Sequence, residues 1–200
     1  MPLNHPDLDQ GGQVDGNNIL DALENTFRDH PGLTEFGLLF ADGPLSEEAA
    51  WQAIGCGSGQ IEPQVAAGAV VVVEQRLALA YWCLPALLTA AKMGVARVQK
   101  ISEWWAEEEH AAAMLKFTRA LLLISADTAS AWNHRKRLIH AGLWCRKAEL
   151  RFLDLVQSKH QKCQEAWAHR RWVVIPLLDA QGGVAGLPEI VDKELAAIDR

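Results

Sequence analysis

The chain has 200 residues, half of them apolar, and a formal net charge of −6. That length and apolar content can bury one substantial core, and they exclude a chain disordered throughout. The longest uncharged stretch, Leu77 to Ala91, falls short of the roughly 20 apolar residues of a membrane-spanning helix and contains Pro85, so no transmembrane segment is expected.

Residues 1–18 are polar, acidic and Gly-containing, without the basic and apolar regions of a secretory signal, which predicts a cytoplasmic protein with residues 1–17 disordered. Asn18 then precedes Ile19, Leu20, Leu23 and Phe27 at helical spacing, and this short amphipathic helix ends before Pro31-Gly32. The apolar run Phe36 to Phe40 follows a turn. Residues 41–68 are rich in Gly, Ala, Ser and acids with little periodicity, and read as a loop insertion. Val70 to Val73 has strand-like propensity, but so short a run is equally a buried extended segment. From Leu77 the pattern is helical: one buried helix to about Lys92, a break near Gly94, then a long helix through Glu107, Leu115, Leu121 and Leu122.

Inside that helix begins a repeat of period thirty-five. Ala131-Trp132-Asn133-His134-Arg135 returns as Ala166-Trp167-Ala168-His169-Arg170, and Phe117, Leu121, Leu138 and Ile139 map onto Phe152, Val156, Val173 and Val174. A unit of this length suits two short helices and two turns, too small to bury its own apolar face and obliged to stack on neighbours. The expected fold is all-α, an α-α superhelix of antiparallel helix pairs with an irregular N-terminal region. Repeats are placed at about 108–140 and 143–175, with Ala141-Gly142 breaking between them and residues 187–200 forming part of a third unit, all within one domain over 18–200.

On a helix, Trp132, Arg135 and Ile139 share one stripe, with His134 on the adjoining one; Trp167, Arg170, Val174 and His169 reproduce both. Trp132 and Trp167 are expected as core anchors. His134 and His169 invite a metal reading, but neither helix supplies a second ligand four residues on, so both are assigned to packing and no metal is expected. Four cysteines without CxxC spacing read as reduced thiols. Residues 131–175 hold ten Lys and Arg against three acids, a local +7 that leaves −13 for the rest. Such a basic module in an acidic chain suits an acidic partner or phosphorylated ligand, with Arg135, Arg170 and Arg171 as candidate partner-binding residues. No recognisable DNA- or RNA-binding motif accompanies these charges, so nucleic acid is not an expected partner. No phosphate loop, nucleophile elbow or Cys-His dyad is visible, and no catalytic residue is assigned.

The motif Ala-Trp-x-His-Arg-Arg-Trp-Val-Val at Ala166 to Val174, with its partner at Ala131 to Leu138, resembles the repeats of protein prenyltransferase alpha subunits. Ile19 to Leu39 and Val73-Glu74 through Trp82-Cys83 are similar to N-terminal elements of one branch of that family. The resemblance implies a crescent of helix pairs around a catalytic beta subunit, an α-α barrel that would hold zinc and geranylgeranyl diphosphate, with no cofactor on this chain. For this branch the implied partners are a beta subunit of the Rab geranylgeranyltransferase type and a substrate protein prenylated at C-terminal cysteines. Zinc on the beta subunit would lower the acceptor cysteine's pKa, and cationic groups would stabilise the departing diphosphate. Lys162 stands where several family members place a diphosphate-facing Lys, but Gln164 replaces the accompanying Tyr, and Lys162 reads as an exposed loop lysine. Two complete repeats make a short array, so the chain reads as a truncated form of a longer repeat protein. The expected function is that of an alpha-type, non-catalytic prenyltransferase subunit. The alternative is a helical-repeat interaction scaffold without transferase activity.

Overall fold

A computed structural model describes residues 15–54 and 63–180. Helix α1 (Gly16–Asp29) starts where the Asp15 carboxylate accepts a hydrogen bond from the Asn17 N–H at 2.9 Å, and it buries Ile19, Leu20 and Leu23. The segment that follows is a sheet. Strands β1 (Glu35–Leu39), β2 (Gln64–Ala66), β3 (Val70–Val73) and β4 (Arg76–Ala80) lie in the order β1-β4-β3-β2; β1 and β4 are parallel and the other pairs antiparallel. β2 and β3 are joined by Ala67, Gly68 and Ala69, a turn in which Ala67 and Gly68 both have positive φ and the Ala69 N–H returns to the Ala66 carbonyl at 3.1 Å. Val70, Val71 and Val72 are all buried because both faces of β3 are covered. Val70 and Val72 join the main core with α1, while Val71 packs on Leu45, Ala50 and Ala80 beside helix α2 (Glu47–Ile54).

Four expectations differ from this fold. Leu77 to Ala80 is strand rather than the start of a helix; after a single 3-10 turn at Tyr81–Cys83, helix α3 (Leu84–Val98) begins with Pro85 in its first turn, where the missing N–H costs nothing. The helix does not break at Gly94, which lets α3 approach the Phe117 ring closely. Residues 41–68, expected as loop, contain α2 and β2 among the described part. Of residues 1–17, expected to be disordered, Asp15 caps α1 and Gly16 and Asn17 lie in its first turn; residues 1–14 and the partial third unit at 187–200 lie outside the described residues.

The C-terminal half is helical throughout, as expected: α4 (Glu108–Ile124), α5 (Ala129–His140), α6 (Arg146–Lys159) and α7 (Gln164–Ala180), preceded by a 3-10 turn at Trp104–Ala106. α5 ends in a Schellman cap. Gly142, with φ of 78°, sends its N–H to the Ile139 carbonyl at 3.1 Å, and Leu143 sends its N–H to Leu138 at 3.0 Å. This closes one unit and turns the chain into the next. One core cluster runs from α1 and the sheet through α3 and α4 to Trp132, Phe152, Leu153, Ala166 and Val173. The sheet is also tied to the repeats by a hydrogen bond from the Phe36 N–H to Ser158 Oγ at 2.8 Å. No helix among the described residues is long and apolar enough to cross a membrane.

Candidate functional site

The repeated tryptophans make the same bond. Trp132 Nε1 donates to the Ala126 carbonyl and Trp167 Nε1 to the Gln161 carbonyl, each six residues back and each at 2.7 Å, so each indole pins its helix to the turn that precedes it. Their burial differs. Trp132 is buried because the next unit covers it, with His169 stacked on it at 4.5 Å and Phe152 at 6.2 Å between ring centroids. Trp167, expected in the core, is half-buried.

Around Trp132 lies a buried charged node. Glu149, in the first turn of α6, has no exposed surface and accepts from Arg135 Nε (2.9 and 3.1 Å), Arg135 Nη2 (2.7 Å), Trp144 Nε1 (2.8 Å) and His169 Nε2 (2.7 Å). Arg135 reaches Thr118 Oγ1 with Nη1 at 3.2 Å and lies over the Phe152 ring. One carboxylate thus joins α5 of the first unit to α6 and α7 of the second. Burial alone would raise the Glu149 pKa; the Arg135 charge and the hydrogen bonds from His169 and Arg135 override it and hold the carboxyl at about 2. Burial pushes His169 below the ordinary histidine range against the pull of Glu149, whose carboxylate lies 2.7 Å from His169 Nε2.

Arg135 and Arg170 were expected at a partner surface, and this is corrected: they are 0 % and 4 % exposed. Arg135 is bonded to Glu149, and Arg170 Nη1 donates to Asp154 at 2.8 Å and Gln157 at 2.9 Å. A guanidinium buried without such acceptors would be costly, so each arginine is placed by its carboxylate. Arg171 is exposed on α7. His134 is buried and packs edge-on against Trp104 at 5.5 Å, and burial lowers its pKa. The described residues contain no group of three or more His, Cys, Asp or Glu placed to hold a metal ion. Lys162 is exposed, beside an open depression between the turns at 124–127 and 160–165.

The geometry defines a helical-repeat protein whose units are locked by a shared buried ion pair. Residues 112–142 and 146–175 each match the protein prenyltransferase alpha subunit repeat. Similar proteins bear the name protein prenyltransferase alpha subunit repeat-containing protein 1. The Danio rerio protein is 29 % identical over 156 residues, covering 78 % of this chain and 31 % of the relative. The Homo sapiens protein is 28 % identical over 175 residues, covering 88 % and 37 %. In Xenopus laevis the 1-B form is 28 % identical over 156 residues, covering 78 % and 31 %. The chain therefore spans about a third of the length of these relatives.

Glu149 escapes the repeat comparison because the residue thirty-five positions earlier is Met114. One signal for it exists in the sequence: it is one of only three acids in a stretch holding ten cations.

Proposed function

We propose that this chain acts as an alpha-type, non-catalytic subunit of a protein geranylgeranyltransferase, pairing with a catalytic beta subunit of the Rab geranylgeranyltransferase type. The observation that carries this reading is the coincidence of the two family repeats with two helix pairs locked by Arg135 and Glu149. Locked pairs form a stiff helical platform, which is what an alpha subunit contributes when it holds a partner and a substrate protein in register. Zinc and geranylgeranyl diphosphate belong, in this reading, to the beta subunit. The exposed Arg171 is the partner-facing candidate that remains from the basic module.

Transfer of labelled geranylgeranyl to a protein ending in cysteine tests the proposal, run with the beta subunit alone and with this chain added. Transfer that depends on the chain supports it. Transfer indifferent to the chain counts against it and favours a repeat scaffold without transferase role.

A further inference from the structure

A second feature lies away from the repeat node. Between the end of α1, the Pro31–Leu33 connection and the first half of α6 is a cleft of about 190 Å³. Phe27, Leu33, Trp144, Phe152 and Leu155 make it apolar and largely aromatic, and Arg119 and Arg151 are its cations; no Asp or Glu lines it.

The donors in this cleft are unevenly used. Trp144 Nε1 is taken by Glu149, so Trp144 offers the cleft only its ring. His30 Nε2 pairs with Gln64 Oε1 at 2.9 Å. Arg119 is 8 % exposed, its Nη1 bonds Glu24, and its guanidinium lies over the Phe27 ring at 4.5 Å, but its buried Nε has no hydrogen-bond partner. Buried N–H groups ordinarily have acceptors, and one left without marks a place where an acceptor is missing. Arg151 stands exposed and makes no ion pair among the described residues.

We propose that this cleft binds a small organic anion: a carboxylate carried on a compact aromatic or branched apolar body. Two arginines bring two positive charges and Glu24 cancels one, so the remaining charge matches a monoanion better than a dianionic phosphate. The space is smaller than the roughly 300–1,000 Å³ of pockets for drug-sized ligands, which restricts the body to about one ring. The aromatic walls take that ring, and the carboxylate meets Arg151 and the Arg119 Nε.

The probe is phenylacetate, titrated into the full chain and followed by saturation-transfer NMR. Phenylacetamide, the same body without charge, and inorganic phosphate, charge without body, are the comparators. Saturable binding of phenylacetate is expected, at least about tenfold tighter than either comparator. Arg151→Gln, at an exposed position that leaves the fold intact, should weaken it about tenfold, and Arg119→Lys, which keeps a cation for Glu24 but removes Nε, should do likewise. If Arg119→Lys fails to fold, Arg151→Gln decides. Absence of saturable phenylacetate binding, phosphate binding as tight as phenylacetate, or affinity unchanged by Arg151→Gln would each overturn the proposal.

Discussion

Arg135 and Glu149 are fourteen residues apart, sit in different repeat units, and form a two-toothed ion pair with neither side chain exposed. The pair converts two stacked helix hairpins into one body. Trp132 lies beside it, covered by His169, which bonds the same carboxylate. Register between the units is therefore set by charge as well as by apolar packing.

Removing one member of this pair leaves the other buried without compensation. Glu149→Ala should cost about 3–5 kcal/mol, and Arg135→Met a similar amount. The double variant Arg135→Met with Glu149→Leu should lose much less than the sum, since it buries no stranded charge. Urea unfolding of the four proteins measures this, and simple additivity would show that the two residues do not act as a pair.

Acid should weaken the fold in a defined order. The folded pKa of Glu149 lies below its unfolded value of 4.5, so the unfolded chain binds that proton more tightly. The stabilisation is complete above about pH 4.5 and is lost as pH falls toward 2, on the order of 3 kcal/mol in all. His169 and His134, both lowered by burial, act earlier and in the same direction, with stability declining as pH drops below about 6.5. Urea midpoints from pH 7 to pH 3 should fall continuously, and Glu149→Gln should flatten the part below pH 4.5.

The two repeat tryptophans should behave unequally. Trp132→Ala should cost about 3–5 kcal/mol as a buried aromatic, and Trp167→Ala about half of that because its ring is only partly covered. Thermal melts of the two variants compare them directly. Equal losses would mean that Trp167 is enclosed as fully as Trp132.

Gly94 tests the packing of α3 on α4. A Cβ there would stand 2.5 Å from three atoms of the Phe117 ring. Alanine favours a helix by up to about 1 kcal/mol over glycine, but overpacking costs about 1–3 kcal/mol, so Gly94→Ala should be net destabilising. Adding Phe117→Leu should restore part of the loss. A rise in melting temperature for Gly94→Ala alone would contradict the close approach.

The repeat was legible because Trp-x-His-Arg serves the same geometry twice: the indole reaches back six residues in both units, and the small Ala131 and Ala166 are both buried beside it. The sheet was not legible, for a physical reason. β3 is buried on both faces and β4 nearly so, which erases the alternation that betrays a strand, and Arg76–Ala80 runs on into the apolar start of α3 without a polar break. The site was half legible. In the sequence Arg135 and Arg170 read as outward charges, because the acid that draws Arg135 inward lies in the next unit and has no counterpart at Met114 in the first.

The most direct test of the alpha-subunit reading is light scattering on this chain co-expressed with a Rab geranylgeranyltransferase beta subunit and separated by size. The account predicts a one-to-one complex that persists through the column and weakens on Arg171→Glu. Two separate monomers, with this chain folded by circular dichroism, would contradict it.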